Sequence, residues 1–198
     1  MQPIRDIFRS HAVFDTYGKH IGGTDKQSNH SYGDAYESLL MKPAWGNGTP
    51  CLQSTRDKVK LVMEVGVADG ACLQAWYDVF PNAQIVGMDI HHSDLAHGDR
   101  IEFHIGDQRV REDCERAAAG RQFDLIIEDA THKLDYTLLT LFWLWPFVRP
   151  GGLYVVEEWE GATGLRDNIS ALFPMAEIVG TCGPHIQDEP LVVFRKTL

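Results

Sequence analysis

The sequence predicts an α/β protein with a doubly wound, mostly parallel sheet. From residue 60 onward, short runs rich in Val, Ile and Leu alternate with stretches whose apolar residues recur at helical spacing. Parallel strands need crossover connections, and helices usually supply them. Two apolar runs near the end of the chain have no room for a helix between them, which predicts an antiparallel end to the sheet. We therefore expect seven strands with an antiparallel final strand, preceded by a short helical cap.

The individual elements follow from these runs. The predicted strands span residues 60–65, 84–89, 101–105, 123–128, 152–157, 176–179 and 191–195. The predicted helices between them span residues 70–80, 108–119 and 133–147. The last two strands are expected to form an antiparallel hairpin at the edge of the sheet.

The first 57 residues differ from the rest of the chain. Residues 2–11 can form a helix, and a second helix is predicted at 32–41, where apolar or aromatic residues recur at helical spacing. Turn-forming residues at 43–57 predict a loop. We expect residues 1–57 to form a cap or lid segment and residues 58–198 to form the core domain.

Composition limits the classes of partner. The chain has 198 residues, 44% hydrophobic and 23% charged, as expected for one soluble globular domain. Its 18 basic and 28 acidic residues give a net charge of −10, which opposes unspecific attraction to nucleic acid or to an anionic membrane. The most apolar run, at 138–148, is shorter than the roughly 20 residues that span a bilayer. A small neutral or cationic substrate is therefore expected.

The cysteines and the N-terminal residues indicate the compartment. Cys51, Cys72, Cys114 and Cys182 lie far apart, so neither a zinc site nor a disulfide framework is predicted. The first residues carry charges and no long apolar stretch, which does not indicate a secretory signal. We expect a cytoplasmic protein with reduced thiols.

Three acids and a histidine follow two of the predicted strands. Asp129 and His132 lie in IIEDATH, and Glu157 and Glu158 lie in LYVVEEWE. Open α/β sheets bind ligands at the carboxyl ends of their strands, and carboxylates from two strand ends can hold one hard cation such as Mg²⁺. His132 would then be a base beside the metal. Any one of these acids could instead mark only the polar end of a strand.

A glycine-containing loop, EVGVADG at residues 64–70, follows the first strand of the core domain. Gly66 and Gly70 allow a tight turn and a close approach of a ligand to the start of the next helix. Asp89 ends the second strand, where an acid can accept hydrogen bonds from both ribose hydroxyls of a nicotinamide or methionine-type cofactor. Asp107 follows the third strand and could contact a ligand or cap a helix.

Together these features resemble the class I S-adenosylmethionine-dependent methyltransferases, over residues 58–198. The resemblance implies a Rossmann-like sheet and S-adenosyl-L-methionine as the cofactor. It places Glu64 toward the methionine end and Asp107 at the adenine amine, and Ala68 stands where that family usually has glycine. The cofactor contacts that it implies are Glu64, Gly66, Asp69, Gly70, Asp89, Asp107 and Gln108.

A narrower resemblance lies in GTDKxxxHxYxxxYExxL at residues 23–40, which is similar to the metal-dependent sugar O-methyltransferases of macrolide and related antibiotic pathways. Residues 128–132 and 148–158 match that family's DDGSH and VRPGGLYVIED stretches. The resemblance implies that Asp129, Glu157 and Glu158 bind Mg²⁺ and that Asp129 and His132 are the catalytic residues. Glu158 stands where the family often has Asp, and Ala130-Thr131 replaces Gly-Ser.

The N-terminal motif has two interpretations. Its polar and aromatic side chains could form a lid that contacts substrate or cofactor, or its tyrosines could simply pack a cap helix. The residues predicted to contact substrate or to belong to the lid are Thr24, Lys26, His30, Tyr32 and Tyr36.

The function implied by the resemblance is methyl transfer, dependent on Mg²⁺, from S-adenosylmethionine to a hydroxyl of a sugar or a glycosylated natural product. A catechol-type acceptor, or the cephalosporin hydroxylase and rhamnosyl methyltransferase group, remains open. A non-catalytic cofactor-binding module is a further alternative, and the lack of GxGxxG opposes a nicotinamide oxidoreductase. Trp143 and Trp145 could be core residues or contacts of a homo-oligomer.

Overall fold

The computed structural model describes residues 1–28, 30–40, 56–159, 173, 176–179 and 191–197. Most of the loop predicted at 43–57 lies outside the described residues, as do Cys51 and Cys182. Within the described part, the predicted strands at 84–89, 101–105, 123–128, 176–179 and 191–195 are observed with the same bounds.

The elements occur in the following ranges. The strands are β1 Ala12–Phe14, β2 His20–Gly23, β3 Leu61–Val65, β4 Gln84–Asp89, β5 Ile101–Ile105, β6 Phe123–Glu128, β7 Val148–Val156, β8 Ala176–Val179 and β9 Leu191–Arg195. The helices are α1 Ile4–Ser10, α2 Tyr32–Leu40, α3 Ala71–Val79, α4 Arg111–Ala118 and α5 Leu134–Leu144, and α5 is followed by a 3₁₀ turn at Trp145–Phe147.

The main sheet has the strand order β5-β4-β3-β6-β7-β9-β8 among the described residues. Strands β3 to β7 pair in parallel, and β9 is antiparallel to both β7 and β8. The prediction of a mostly parallel α/β sheet with an antiparallel end is therefore confirmed. The strand order reverses between β3 and β6, and such a switch opens a crevice at the carboxyl ends of the two strands.

Three parts of the structure differ from the sequence-based expectations. Strands β1 and β2 form a small separate antiparallel sheet that was not predicted, because both strands are short and none of their residues is buried. Helix α5 gives way to the 3₁₀ turn just before Pro146, which has no N–H to continue an α-helix. Strand β7 begins at Val148 and not at residue 152, with an irregular register opposite β6.

The N-terminal helices pack on the same face of the sheet as α3. Phe8 of α1 and Tyr36 of α2 each meet the Trp76 ring edge-on, with ring centroids 4.9 Å apart. All three side chains are buried in one apolar cluster that also includes residues of β3 and β6. The N-terminal segment is thus tied to the core by large aromatic contacts. Among the described residues, no helix is both long and apolar enough to cross a membrane.

Candidate active site

A cavity of about 360 Å³ lies at the carboxyl ends of β3, β4, β5 and β6. We call it the strand-end cavity, and its lining residues are Val65, Gly66, Ala68, Met88, Asp89, Ile90, Gly106, Asp107, Gln108, Arg109, Asp129, Ala130, Thr131 and Tyr136. It lies at the crevice that the reversal of strand order creates. Five of the predicted site residues line it: Gly66, Asp89, Asp107, Gln108 and Asp129.

The two glycines of the loop stand where a side chain could not fit. Gly66 has φ +87°, and a Cβ there would lie 2.3 Å from the carbonyl oxygen of Asp129. Gly70 has φ +96°, and its Cβ would lie 2.5 Å from Ser93 Oγ. Ala68, where the resembling family usually has glycine, also has a left-handed φ of +49°. The loop conformation therefore favours glycine at three positions, and one of them carries a methyl group.

Asp89 organises the loop through main-chain contacts. Its Oδ2 accepts hydrogen bonds from the N–H groups of Val67 and Ala68 at 2.8 and 3.0 Å, and its Oδ1 accepts one from His91 at 2.9 Å. The carboxylate also lines the strand-end cavity. Asp89 therefore lies where a ligand hydroxyl could reach it. The hydrogen bonds it makes in this structure are all to main-chain N–H groups of the protein, so the contact with a ligand stays a prediction.

The residues after β5 have partners within the protein. Asp107 accepts hydrogen bonds from the Arg109 guanidinium, and these lower the pKa of the Asp107 carboxyl. The Gln108 amide is buried and donates to Glu128 Oε1 and Thr140 Oγ1, both at 2.9 Å. The Gln108 side chain therefore joins a network between β6 and α5, and its cofactor role stays a prediction.

Three predicted cofactor residues, Glu64, Asp69 and Gly70, do not line the strand-end cavity. Glu64 is fully buried and accepts a hydrogen bond from Trp76 Nε1 at 3.2 Å. Burial raises the pKa of Glu64 to about 7. Asp69 accepts a hydrogen bond from the N–H of Ala71 at 3.0 Å, so it stabilises the first turn of α3. Gly70 shapes the loop without lining the cavity.

A second group of acids adjoins the cavity at the carboxyl ends of β3, β6 and β7. We call Glu64, Asp129, Glu157 and Glu158 the acidic centre. The Lys26 ammonium lies among three of them, 2.8 Å from Asp129 Oδ2, 2.6 Å from Glu157 Oε2 and 3.2 Å from Glu64 Oε1.

The buried side of the acidic centre is closed by the N-terminal segment. Burial alone would lower the pKa of Lys26, but the charges of Asp129 and Glu157 raise it well above its ordinary value. The Tyr36 hydroxyl donates to Glu157 Oε1 at 2.5 Å. Burial raises the pKa of Glu157 well above its ordinary range. Both oxygens of Glu157 therefore have partners from the N-terminal segment.

The more exposed side of the acidic centre contains two histidines. His30 Nε2 lies 2.9 Å from Glu158 Oε1, and His132 Nε2 lies 3.9 Å from Glu158 Oε2. The hydrogen bond with His30 lowers the pKa of the Glu158 carboxyl. Burial opposes protonation of His30, but the bond and the charge of Glu158 outweigh it, so the pKa of His30 is raised. Both His132 and Glu158 have left-handed φ values, +60° and +49°, a strained conformation that clusters at functional sites.

The donors present fit a hard divalent cation. Ligand atoms of Asp129, His132 and Glu158 all lie within 4.8 Å of one another. Carboxylate oxygens are the ligands that Mg²⁺ prefers. The imidazole of His132 beside them can act as a base. Of the three predicted metal ligands, Asp129 and Glu158 face this space. Glu157 is engaged by Lys26 and Tyr36, so its role as a ligand stays a prediction.

The other predicted residues of the N-terminal segment have packing roles. Cys72 Sγ lies 3.2 Å from Thr24 Oγ1, which joins the segment to α3. Tyr32 is buried, and its ring stacks on His30 with centroids 4.8 Å apart. The interpretation that the tyrosines pack a helix thus accounts for Tyr32, whereas Tyr36 both packs and contacts the acidic centre.

Sequence reasoning missed several residues of the site. Ile90 lines the strand-end cavity with 53% of its surface exposed, and Tyr136 lines it opposite Arg109. An apolar residue directly after a strand-end acid was the available signal for Ile90. Nothing in the spacing indicated that Trp76 would contact Glu64 or that Lys26 would meet three acids.

Comparisons with known proteins confirm the resemblance to sugar O-methyltransferases. No protein-family model matches the sequence. The mycinamicin VI 2''-O-methyltransferase of Micromonospora griseorubida is 35% identical over 127 residues, covering 57% of this chain and 31% of that protein. The demethylmacrocin O-methyltransferase of Streptomyces fradiae is 32% identical over 151 residues, covering 66% of this chain and 38% of that protein. The matched region thus spans about a third of each relative's length.

Solved structures share the fold. The MycE methyltransferase from the mycinamycin biosynthetic pathway, solved with Mg and SAH, aligns with 99% of this chain and 55% of its own at a TM-score of 0.67 and 22% identity. The same enzyme, solved with Mg, SAH and mycinamycin VI, aligns with 81% of this chain and 52% of its own at a TM-score of 0.57 and 25% identity. The fold of this chain is that of methyltransferases.

Proposed function

We propose that this chain is a Mg²⁺-dependent O-methyltransferase that transfers a methyl group from S-adenosylmethionine to a hydroxyl of a sugar or glycosylated natural product. The observation that carries the proposal is the junction of the strand-end cavity with the acidic centre at Asp129, which belongs to both. A cofactor in the cavity and an acceptor at the acids would then meet at one residue. The relatives, all O-methyltransferases by name, support the same chemistry.

The residues of the cavity would hold the cofactor. Gly66 lets the main chain approach it closely, and Asp89 can accept hydrogen bonds from ribose hydroxyls with the lone pairs that the loop leaves free. The exposed face of Ile90 offers an apolar surface to a flat ring. Asp107 would accept a hydrogen bond from the adenine amine with an oxygen that now accepts from Arg109.

The residues of the acidic centre would hold the metal and the acceptor. Asp129 and Glu158, with Glu157 as the predicted third ligand, would bind Mg²⁺, which supplies Lewis-acid stabilisation of a developing alkoxide. His132 Nε2 faces Glu158 and would take the proton of the acceptor hydroxyl as that oxygen accepts the methyl group. The residues at 24–40 would form a cap that excludes water from this reaction.

The first experiment is a calorimetric titration with S-adenosylhomocysteine, with Mg²⁺ present and then chelated. Binding that survives chelation is expected, because the residues lining the cavity are separate from most of the acidic centre. Asp129→Ala is the control for the shared residue. No binding under either condition would overturn the methyltransferase proposal.

A methylation screen over glycosides and diols then tests the base. His132→Ala should lower turnover about 100-fold or more, the range for a lost general base. His92→Ala is the matched control, because His92 is an exposed histidine away from the acidic centre. Unimpaired turnover in His132→Ala would remove the base assignment.

We also propose a setting for this activity. The net charge of −10 favours a small-molecule acceptor over nucleic acid. The free thiols of Cys72, which is half-buried, and Cys114, which is buried, agree with a reducing cytoplasm. Trp143 and Trp145 line a second, apolar cavity and would be the contact of a homo-oligomer. Analytical ultracentrifugation measures that assembly directly.

A further inference from the structure

Lys26 is the unusual residue of the acidic centre, because its side chain is completely buried and its ammonium meets three carboxylates. A buried ammonium is costly unless ionic partners and hydrogen bonds offset the loss of hydration. Glu64, Asp129 and Glu157 supply those partners. Conversely, these three acids would repel one another strongly if the ammonium were absent.

The position of Lys26 relative to the proposed metal site is specific. The ammonium contacts Asp129 Oδ2 and Glu157 Oε2, which belong to two of the three predicted metal ligands. Glu158 lies on the other side and has His30 as its partner. A divalent cation at Asp129 and Glu158 would therefore have a fixed positive charge as a close neighbour.

Resting on the proposed function, we propose that Lys26 is a positioning residue that acts as an internal counter-cation of the acidic centre. It holds Asp129 and Glu157 in place in the metal-free protein and weakens the attraction of the centre for a divalent cation. Metal binding is then readily reversible, and the acids stay ordered between successive metal-binding events. This role differs from that of a lid residue, which would contact the substrate.

The charge argument makes an unusual prediction for a substitution. Removing a side chain that merely supports a metal site lowers metal affinity, because the ligands become disordered. Removing a fixed positive charge beside the site raises metal affinity, because the attraction of the carboxylates for the cation is no longer offset. The direction of the change in affinity therefore separates the two roles.

The test is the Lys26→Met variant, which keeps the length of the side chain and removes the charge. Mn²⁺ is the probe, because it prefers the same oxygen ligands as Mg²⁺ and its free concentration can be measured by electron paramagnetic resonance. We expect Lys26→Met to bind Mn²⁺ about tenfold more tightly than the unmodified protein. We also expect a lower Tm without metal and a larger rise of Tm on adding Mn²⁺.

Two variants serve as controls. Lys19→Met removes an exposed lysine and changes the net charge equally, so its Mn²⁺ affinity should stay within twofold of the unmodified protein. Should Lys26→Met not fold, the comparison is made between Glu64→Gln and the Lys26→Met/Glu64→Gln double variant. Glu64→Gln neutralises one acid that would otherwise lack its partner. The double variant should bind Mn²⁺ about tenfold more tightly than Glu64→Gln alone.

Unchanged or weaker Mn²⁺ binding in the variants that lack Lys26 overturns the counter-cation role. Absence of Mn²⁺ binding in every protein overturns it as well, together with the metal dependence of the proposed function. Binding of S-adenosylhomocysteine, measured separately, then decides whether the protein is a methyltransferase at all. Failure of the counter-cation role can thus be distinguished from failure of the methyltransferase proposal.

Discussion

The strand-end cavity and the acidic centre adjoin each other but are stabilised in different ways. In the cavity, Asp89 is held by main-chain N–H groups of the neighbouring loop and of its own strand end. In the acidic centre, Asp129 and Glu157 are held by Lys26, which lies 103 and 131 residues away in the sequence. The cavity is therefore a product of local strand-end geometry, whereas two acids of the acidic centre are held by a segment that is distant in the sequence.

Gly66 lies where the strand-end cavity meets the acidic centre, because it lines the cavity and packs against the main chain of Asp129. Gly66→Ala should lower the free energy of unfolding by about 3 kcal/mol, because it combines left-handed strain with overpacking against the Asp129 carbonyl. Thermal or urea unfolding measures the loss. Gly120→Ala is the control, since Gly120 also has a positive φ but nothing within 4 Å of an added Cβ. Equal losses in the two variants would contradict the close approach.

The acidic centre can be impaired alone through Glu158, which does not line the cavity. Glu158→Gln should reduce methyl transfer about 100-fold, the scale of one lost electrostatic contact in a transition state. The dissociation constant for S-adenosylhomocysteine should stay within twofold. Glu115→Gln, in an exposed ion pair on α4, should change neither quantity. Weaker cofactor binding in Glu158→Gln would show that the two regions are not separable.

The strand-end cavity can be impaired alone through Asp89. Asp89→Asn removes the negative charge and replaces one of the two acceptor oxygens with an NH₂ donor, which must face either the loop N–H groups or the His91 N–H. We therefore expect S-adenosylhomocysteine to bind about tenfold more weakly. Mn²⁺ affinity should be unaffected, because Asp89 does not touch the acidic centre. Both affinities are measured by calorimetry, with the exposed Asp94→Asn as the control. An equal effect on both ligands would argue against local stabilisation of the cavity.

The smallest effect concerns Ala68, whose backbone is left-handed although it carries a methyl group. Ala68→Gly should raise the free energy of unfolding by about 0.5 kcal/mol, because relief of strain exceeds the added backbone entropy. Ala119→Gly, at a left-handed residue after α4, should give a similar gain far from the cavity. Differential scanning calorimetry measures both. A loss of stability in Ala68→Gly alone would mean that the methyl group packs favourably in the loop.

The difference between the locally stabilised cavity and the acidic centre explains which features could be predicted from the sequence. Strand bounds such as Gln84–Asp89 and the approach of Asp89 to the cavity follow from local apolar runs and from the rule for strand ends. The partners of Lys26 do not, because no periodicity relates residue 26 to residues 129 and 157. The β1–β2 sheet was missed for another reason: its strands are short, β2 ends in two glycines, and none of their residues is buried, so they lack the alternation that predicts a strand.

The docking of residues 24–40 has a consequence for how this protein can be divided. A fragment that begins at residue 58 would contain every strand of the main sheet and all four carboxylates of the acidic centre. It would nevertheless lack Lys26, His30 and Tyr36, and the Trp76 ring would lose two aromatic neighbours. The N-terminal segment therefore cannot be exchanged as a module, and a chimera that replaces it must supply a buried cation at the same place.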